Sequence, residues 1–264
     1  MAAVAVIPAR YGSSRFPGKP LVNRTGKYLI QHVYEQVSRA QLLNSVIVAT
    51  DDERILAAVE SFGGRARMTS PDHVCGTDRV AEVARELDRQ VELIVNVQGD
   101  EPEIEPDYLD QLVRLLQGRD GCQMATLACP FSPGSDPADP NCVKVVVDGS
   151  GRAIYFSRSL IPYPRSGGQA DGPERWLLHL GVYAYRRDFL LEYAGWPAGR
   201  LERIEQLEQL RALERGVAIA VGRVERATVG IDTPADYEAF VRRVGAPSPV
   251  SSPSQNASDT LGGQ

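Results

Sequence analysis

The sequence predicts a doubly wound α/β fold, in which a mostly parallel sheet carries helices on both faces. Short apolar runs rich in β-branched residues alternate with segments of helical periodicity through the first half of the chain. The clearest apolar runs, at 4–7 and 92–97, lead directly into polar loops. Ligands of such sheets bind beyond the carboxyl ends of the strands, so we expect the functional residues in these loops.

Five strands and four helices are predicted in the first half. The strands lie at 4–7, 45–50, 65–68, 92–97 and 123–129. The helices lie where apolar residues recur at three- and four-residue spacing, at 28–41, 53–62, 77–89 and 107–117. Pro8 ends the first strand, and the glycine pair that follows residue 62 ends the second helix.

The middle of the chain has a more antiparallel pattern. Residues 130–140 contain four prolines and predict an irregular loop. Residues 141–148 and 152–156 predict a hairpin, whose partner is a strand at 178–185. We expect the region at about 141–185 to form a flap or a dimer surface.

The last part of the chain is predicted to return to the α/β pattern. An i, i+3 row of leucine and isoleucine at 201–213 predicts one helix that ends at Gly216. A strand and a closing helix follow, at 217–224 and 234–244. Residues 246–264 are rich in Ser, Pro and Gly and predict a disordered tail, which leaves residues 1–245 as a single domain.

The composition argues against several classes of function. The net charge of −5 argues against a nucleic-acid-binding face, so the cations of the first loop are expected to serve a small anion. No apolar run approaches the ~18 residues that a membrane span requires. The four cysteines lack C-x-x-C spacing and no signal peptide is recognisable, which predicts reduced thiols in the cytoplasm.

The loop after the first strand has the composition of a phosphate-binding loop. It carries two glycines and three cations: Gly12, Gly18, Arg10, Arg15 and Lys19. Glycine lets backbone N–H groups approach an anion, and the cations neutralise it, which together indicate a polyphosphate ligand. The loop is not a Walker A motif, because five residues separate Gly12 from the Gly-Lys pair and Pro20 replaces the hydroxyl residue. The alternative is a solvated basic turn after an edge strand.

Two aspartates at strand ends are candidate metal ligands. Asp100 follows the strand at 92–97, and Asp232 lies between the last strand and the closing helix. Magnesium prefers carboxylate oxygens together with substrate phosphates, so this pair beside a basic loop predicts a metal–nucleotide site. The alternatives are a structural turn at Asp100 and helix N-capping by Asp232.

Two longer motifs resemble the signatures of one enzyme family. Residues 7–21, Ile-Pro-Ala-Arg-Tyr-Gly-Ser-Ser-Arg-Phe-Pro-Gly-Lys-Pro-Leu, and residues 96–102, Asn-Val-Gln-Gly-Asp-Glu-Pro, resemble motifs of the 3-deoxy-manno-octulosonate (Kdo) cytidylyltransferases. Shorter matches follow in the same order at 49–51, 76–77, 143–146, 155–158, 179–183, 207–211 and 232–234. The resemblance therefore covers nearly all of the predicted domain.

The resemblance implies transfer of CMP from CTP to the anomeric hydroxyl of Kdo, for lipopolysaccharide-type glycan biosynthesis. It also implies a nucleotide-diphosphosugar transferase variant of the Rossmann fold, a homodimer and a requirement for Mg²⁺. The implied nucleotide-binding residues are Ala9, Arg10, Ser14, Arg15, Lys19, Gly76 and Gln98. Asp100 and Asp232 are the implied magnesium ligands. The implied sugar-binding residues are Arg158, His179, Tyr183, Glu208 and Gln209.

The residue types suit that chemistry. Lys19 and Arg15 are candidates to neutralise the departing pyrophosphate, and Arg10 with an Asp100-bound metal to stabilise charge on the α-phosphate. Lys19, Arg10 and Asp100 are therefore the candidate catalytic residues, and no general base is assigned. Arg158 suits the carboxylate of Kdo.

Several alternatives remain open on the residues alone. His179 and Tyr183 could be core residues, and the pair Glu208 and Gln209 could be a solvated helix face. Cys75 stands where the family commonly has Ser, and the next acidic residue, at position 78, is Asp where Glu is common. A cytidylyltransferase for a sialic acid and an inactive nucleotide-binding regulator are the rival functions.

Overall fold

One nine-stranded sheet forms the centre of the computed structural model, which describes residues 1–12, 15–165 and 175–245. The strands are β1 (Ala2–Ala9), β2 (Ser45–Thr50), β3 (Ala66–Met68), β4 (Val91–Asn96), β5 (Met124–Pro130), β6 (Lys144–Val147), β7 (Ala153–Ser157), β8 (Leu177–Arg186) and β9 (Ile219–Arg223). The helices are α1 (Leu29–Val37), α2 (Glu53–Ser61), α3 (Gly76–Glu86), α4 (Pro106–Gln117), α5 (Arg187–Ala194), α6 (Arg200–Glu205), α7 (Leu210–Glu214) and α8 (Pro234–Gly245). Ser14 and the predicted tail at 246–264 lie outside the described residues.

The main path of the sheet runs β3-β2-β1-β4-β8-β5-β9. β1 pairs in parallel with β2 and β4, and β5 pairs in parallel with β9, whereas β8 is antiparallel to both of its neighbours, β4 and β5. The loops that follow β1, β2 and β4 therefore gather at one edge. The sheet is mixed and mostly parallel, as the sequence predicts.

Alternate side chains of β1 enter two separate cores, because successive residues of a strand point to opposite faces. Ala3, Ala5 and Ile7 pack with apolar residues of α1, α2 and α4 on one face. Val4 and Val6 pack with apolar residues of α3 and α5 on the other. Helices thus cover both faces, which confirms the predicted fold class.

The antiparallel pairing in the middle of the chain is also as predicted. β6 and β7 form a hairpin, with Val145 opposite Phe156, and β6 in turn pairs with β8. Phe156 is fully buried, which anchors the hairpin to the core below α3 and α5. Ile154, two residues before it on the same strand, is 58% exposed.

The helix predicted at 28–41 is shorter in the structure, where α1 ends at Val37. The carboxylate of Asp110 accepts hydrogen bonds from the backbone N–H groups of Gln41 and Leu42, at 3.1 and 2.8 Å. These bonds turn the chain toward β2 and replace further helical hydrogen bonds. The early end of α1 thus depends on Asp110 of α4, which lies 68 positions beyond Leu42 in the sequence.

The single helix predicted at 201–213 is wrong, because this segment forms two short helices, α6 and α7. Gln206 between them has φ 53°, and no other non-glycine residue among the described ranges has a positive φ. The Arg158 guanidinium donates to the carbonyls of Glu205 and Gln206, at 2.8 and 3.3 Å. Since these carbonyls bond to a side chain, the helix does not continue through them.

The helix α5 was not predicted from the sequence. It follows β8 without a loop, since Arg186 is both the last residue of the strand and the N-cap of the helix.

Within the described ranges, no helix combines the length and the apolar character that crossing a membrane would need.

Candidate active site

The basic loop after β1 is closed by a turn that requires glycine. Gly18 has φ 70°, its backbone N–H donates to the carbonyl of Tyr11 at 3.0 Å, and an added Cβ would lie 3.1 Å from the Tyr11 ring. A residue with a side chain would be strained at this φ and crowded against the ring. The turn places Lys19 at the start of a short 3-10 helix, directly below the loop.

Lys19 joins three segments that are distant in sequence. Its Nζ donates to Oδ2 of Asp100 at 2.7 Å and to the carbonyl of Ile231 at 2.8 Å. The side chain of Lys19 is only 12% exposed, so this ion pair is shielded from water more than an ordinary surface pair. The backbone N–H of Ile231 also donates to the carbonyl of Asp100, at 2.8 Å.

A second ion pair lies at the same place. Nη2 of Arg15 is 2.9 Å from Oδ1 of Asp232, and both side chains are more than half exposed. Asp232 is not the cap of α8, which corrects the alternative raised from the sequence. Thr233 is the cap: its Oγ1 accepts from the backbone N–H of Asp236 at 3.2 Å, and the Asp236 carboxylate accepts from the backbone N–H of Thr233 at 2.8 Å. Since Thr233 caps the helix, Asp232 is not needed for that purpose.

These residues surround one cavity of about 280 Å³ at the carboxyl ends of β1 and β4. Most of the residues predicted for the nucleotide and the metal line it: Ala9, Arg10, Arg15, Lys19, Gly76, Gln98, Asp100 and Asp232. The remaining one, Ser14, lies outside the described residues. The cavity is thus lined by cations and carboxylates from four separate segments of the chain.

The floor of the cavity depends on a close approach of two loops. An added Cβ at Gly99 would lie 2.9 Å from the carbonyl oxygen of Pro8, and one at Gly76 would lie 3.3 Å from Cγ of Pro8. Any side chain at Gly99 would therefore push the loop after β4 away from β1. The amide of Gln98 is held by a hydrogen bond from its Nε2 to the carbonyl of Gly181 in β8, at 3.2 Å.

Two basic lining residues, His73 and Arg79, were not predicted. The guanidinium of Arg79 is 4% exposed and donates to Oδ2 of Asp51 at 2.7 Å, with a second contact to Oγ1 of Thr69. Arg79 thereby ties the first turn of α3 to the ends of β2 and β3. Its position three residues after Gly76, in the first turn of a helix whose N-terminus faces the cavity, is the signal that could have indicated it.

Asp100 and Asp232 fit the ligand set of magnesium. Both are carboxylates beside the cavity, and magnesium is commonly held by one or two carboxylates with the remaining ligands from water and phosphate. In the described ranges no group of three or more His, Cys, Asp or Glu side chains could hold a metal by itself. A metal held by these two carboxylates would therefore complete its ligand set with water or with oxygens of a bound phosphate.

Glu101 lies behind this pair and is half-buried. Burial raises the pKa of Glu101 to about 7, helped by the negative charge of Asp100 and opposed by a hydrogen bond from Oγ1 of Thr228 at 2.9 Å. The adjacent carboxyl groups of the Asp-Glu pair thus differ in environment. Asp100 faces the cavity and Glu101 faces the protein interior.

The residues predicted for the sugar do not line this cavity. His179 and Tyr183 are on β8, and their rings are 5.5 Å apart. Nε2 of His179 lies 3.0 Å from Oγ1 of Thr126, and burial lowers the pKa of His179 to about 3. His179 is therefore neutral at physiological pH, with the Phe156 ring edge-on at 4.9 Å.

Gln209 is buried and Glu208 is half-buried, so the pair does not form a solvated helix face. Oε1 of Glu208 accepts a hydrogen bond from Sγ of Cys75 at 3.6 Å, and its backbone carbonyl accepts one from the Tyr193 hydroxyl at 2.7 Å. Burial raises the pKa of Glu208, opposed by a hydrogen bond from Thr77. Nε2 of Gln209 is buried and has no hydrogen-bond partner among the described residues.

Arg158 is engaged by the protein itself. Besides the two carbonyls at the junction of α6 and α7, its Nη1 donates to the carbonyl of Pro140 at 2.9 Å. Its backbone N–H donates to the carboxylate of Glu205 at 3.0 Å. The structure thus separates the predicted residues into an open charged cavity and a second group, which is half-buried except for the buried Gln209. The assigned role of each residue stays a prediction.

Comparison with known proteins agrees with this geometry. A family model described as cytidylyltransferase matches residues 4–219. A 3-deoxy-manno-octulosonate cytidylyltransferase of Syntrophobacter fumaroxidans is 53% identical over 91% of this chain and 96% of its own length. One from Rhodopirellula baltica is 47% identical over 92% of this chain and 99% of its own length. The chain belongs to the 3-deoxy-manno-octulosonate cytidylyltransferase family.

Solved structures place this cytidylyltransferase in the same fold. A structure titled CMP:2-keto-3-deoxy-manno-octonic acid synthetase complexed with CTP matches with a TM-score of 0.87 and 44% identity, over 93% of this chain and 99% of the other. A 4-diphosphocytidyl-2C-methyl-D-erythritol synthase from Anaerococcus prevotii matches with a TM-score of 0.61 at 14% identity, over 93% and 96%. The second likeness concerns the fold alone.

Proposed function

We propose that this cytidylyltransferase transfers CMP from CTP to the anomeric hydroxyl of Kdo and releases pyrophosphate. The observation that carries the proposal is the meeting of Lys19, Asp100 and Asp232 at one cavity, in a chain whose relatives named for this activity align over about nine-tenths of its length. A basic loop and two carboxylates are what a metal-bound triphosphate requires.

The cations act on charge that develops during transfer. Attack by the sugar hydroxyl on the α-phosphorus forms the new P–O bond and breaks the bond to the β-phosphate, so negative charge grows on the α-phosphate and the leaving pyrophosphate. Lys19 and Arg15 neutralise the pyrophosphate, and Arg10 neutralises the α-phosphate. Each of Lys19 and Arg15 already has a carboxylate partner, which holds the cation in place beside the cavity.

Magnesium is the proposed cofactor, held by Asp100 and Asp232. When bound it supplies a Lewis acid that neutralises phosphate oxygens and orients the triphosphate. The exposed Arg15–Asp232 pair and the shielded Lys19–Asp100 pair would then share their carboxylates with the metal, while the cations turn to the phosphates.

The sugar is proposed to bind beside β8, against His179, Tyr183, Glu208 and Gln209. The buried and unpartnered amide of Gln209 supports this, because a buried donor without a partner is costly and a sugar oxygen could satisfy it. The carboxylate of Kdo needs a cation, and Arg158 is the proposed one. To bind it, the guanidinium exchanges part of its hydrogen bonding to backbone carbonyls for the ligand.

The direct test measures pyrophosphate release by the purified full chain with CTP and Kdo, with and without Mg²⁺. We expect release that depends on both Kdo and the metal. A parallel assay replaces Kdo by N-acetylneuraminate. Faster turnover of that sugar would assign the chain to sialic-acid chemistry, and no turnover with either sugar would favour a nucleotide-binding regulator.

We also propose a cytoplasmic homodimer that serves lipopolysaccharide-type glycan synthesis. The exposed apolar side chains of Ile154 and Tyr163, 58% and 82% exposed, support an interface within the region at 141–185. The four cysteines, all in described ranges, are free thiols, which suits a reducing compartment. Light scattering on the wild type and on Ile154→Asp tests the interface, since a dimer formed there would dissociate in the variant.

A further inference from the structure

The thiol of Cys75 lies where the cavity proposed for the nucleotide meets Glu208, one of the residues proposed for the sugar. Cys75 lines the cavity together with Gly76, and its Sγ donates to Oε1 of Glu208 at 3.6 Å. These two residues are 133 positions apart in the sequence. The contact therefore connects the loop before α3 with the segment between α6 and α7.

The thiol is suited to donate a hydrogen bond rather than to react. Burial raises the pKa of Cys75 to about 12, helped by the negative charges of Glu208 and Asp78. A protonated thiol is a weak donor and a poor nucleophile. At neutral pH its proton is therefore available to the carboxylate of Glu208.

Glu208 has several other neighbours that set its charge. Burial raises its pKa, the hydrogen bonds from Thr77 and Cys75 and the charge of Arg211 on α7 oppose that shift, and Asp78 on α3 adds to it. Tyr183 and Tyr185 of β8 and Tyr193 of α5 face the same carboxylate, and burial keeps their hydroxyls protonated. The Cys75 thiol and the Thr77 hydroxyl are thus uncharged groups that hydrogen-bond to this carboxylate.

We propose that Cys75 is a positioning residue for the sugar: its thiol, at the edge of the nucleotide cavity, fixes the Glu208 carboxylate in the orientation that receives the sugar hydroxyls. This inference rests on the proposed function, because it takes Glu208 as a sugar contact. The adjacent buried amide of Gln209, which has no partner among the described residues, independently indicates that this segment faces a polar ligand.

The test compares Cys75→Ala and Cys75→Ser in steady-state kinetics with CTP, Mg²⁺ and Kdo. The alanine variant removes the donor, so we expect its KM for Kdo to rise. The expected rise is about five- to tenfold and no larger, because a thiol is a weaker donor than a hydroxyl. Its KM for CTP is expected to change less than about twofold. The serine variant keeps a donor, so its KM for Kdo is expected within about twofold of the wild type.

A pH profile separates this role from a packing role. Without the Cys75 donor the pKa of Glu208 rises, so the acid limb of kcat/KM for Kdo moves to higher pH in Cys75→Ala and stays in place in Cys75→Ser. In a Glu208→Gln background the alanine substitution is expected to cause no further change in the KM for Kdo. Cys142→Ala is the matched control, because Cys142 is a half-buried thiol that does not line the cavity.

Three results would overturn the proposal. They are an unchanged KM for Kdo in Cys75→Ala, an equal loss in the alanine and serine variants, and an additive loss in the Glu208→Gln background. If the alanine variant does not fold, the serine variant decides, because a raised KM for Kdo there contradicts the role of the donor. Failure of the proposed function is distinct: the wild type itself would not use Kdo, and the same comparison would be made with the acidic sugar that it does use.

Discussion

Around the cavity lined by Lys19, Asp100 and Asp232, charged side chains from separate loops meet in ion pairs, whereas the residues assigned by resemblance to the sugar are half-buried or buried, with His179 and Tyr183 among aromatic rings. In the first region each candidate metal ligand is paired with a cation, as in Lys19–Asp100 and Arg15–Asp232. In the second region His179 is uncharged and Glu208 is held by neutral donors. Under the proposed function, the first region would thus bind its ligand by exchanging ion-pair partners, and the second by hydrogen bonds of fixed geometry.

Replacing Asp100 with alanine is the most direct test of the role proposed for the charged cavity. We expect pyrophosphate release to fall about 10³-fold or more, because the metal loses a ligand and Lys19 loses its carboxylate partner. The fold is expected to survive, since Asp100 is about one-third exposed and outside both main cores. Release assays with circular dichroism check both points, and Asp107→Asn, at an exposed position of α4, is the control. Undiminished release would contradict a metal role for Asp100.

Lys19→Met tests the cation of the same pair. We expect kcat/KM for CTP to fall about 10²-fold, because a positioned charge on the leaving phosphates is lost while the aliphatic stem remains. Initial rates at several CTP concentrations measure the effect. If the substitution raised only the KM for Kdo, Lys19 would instead contact the sugar, which contradicts the proposed division between the two regions.

The pH dependence of folding stability tests whether His179, in the second region, is neutral in the folded chain. Its pKa is about 3 in the folded chain and about 6.5 when unfolded, so the unfolded state binds a proton first as the pH falls. Folding stability from this residue is therefore complete above pH ~6.5 and lost below it. Between pH 7.5 and 5.5 we expect the wild type to lose about 1.4 kcal/mol more than His179→Gln, as measured by urea unfolding. Equal losses in the two proteins would show that His179 is not buried in the neutral form.

The smallest effect is expected from Arg15→Ala. Both partners of the Arg15–Asp232 pair are more than half exposed, so its loss should change the free energy of unfolding by less than about 1 kcal/mol. The KM for CTP is expected to rise about fivefold, and less at high salt, because an exposed charge is screened. A large loss of stability would indicate that the pair holds the loop after β1 in the folded state.

The sequence predicted which residues meet at the open cavity better than it predicted the surroundings of the residues assigned to the sugar. Lys19, Asp100 and Asp232 follow strands of an α/β pattern, and the topology of such a sheet brings strand ends together whatever the details of packing. Arg79 was missed because a charged residue in an amphipathic helix ordinarily indicates a solvated face, and its burial depends on Asp51 at the end of another strand. The left-handed Gln206 was missed for a similar reason. Its carbonyl is bonded by Arg158, and no local pattern encodes a contact 48 residues away.

The bonds from Lys19 to Asp100 and to Ile231 also bear on synthesis of the chain. Lys19 and Ile231 are 212 positions apart, so the parts of the proposed nucleotide site come from segments near the two ends of the described chain. A ribosome-bound precursor that has emerged only through β9 can pair most of the sheet but lacks this closure. We therefore expect the cavity to be completed only after the segment before the last helix has left the ribosome, so that fragments that end earlier lack it.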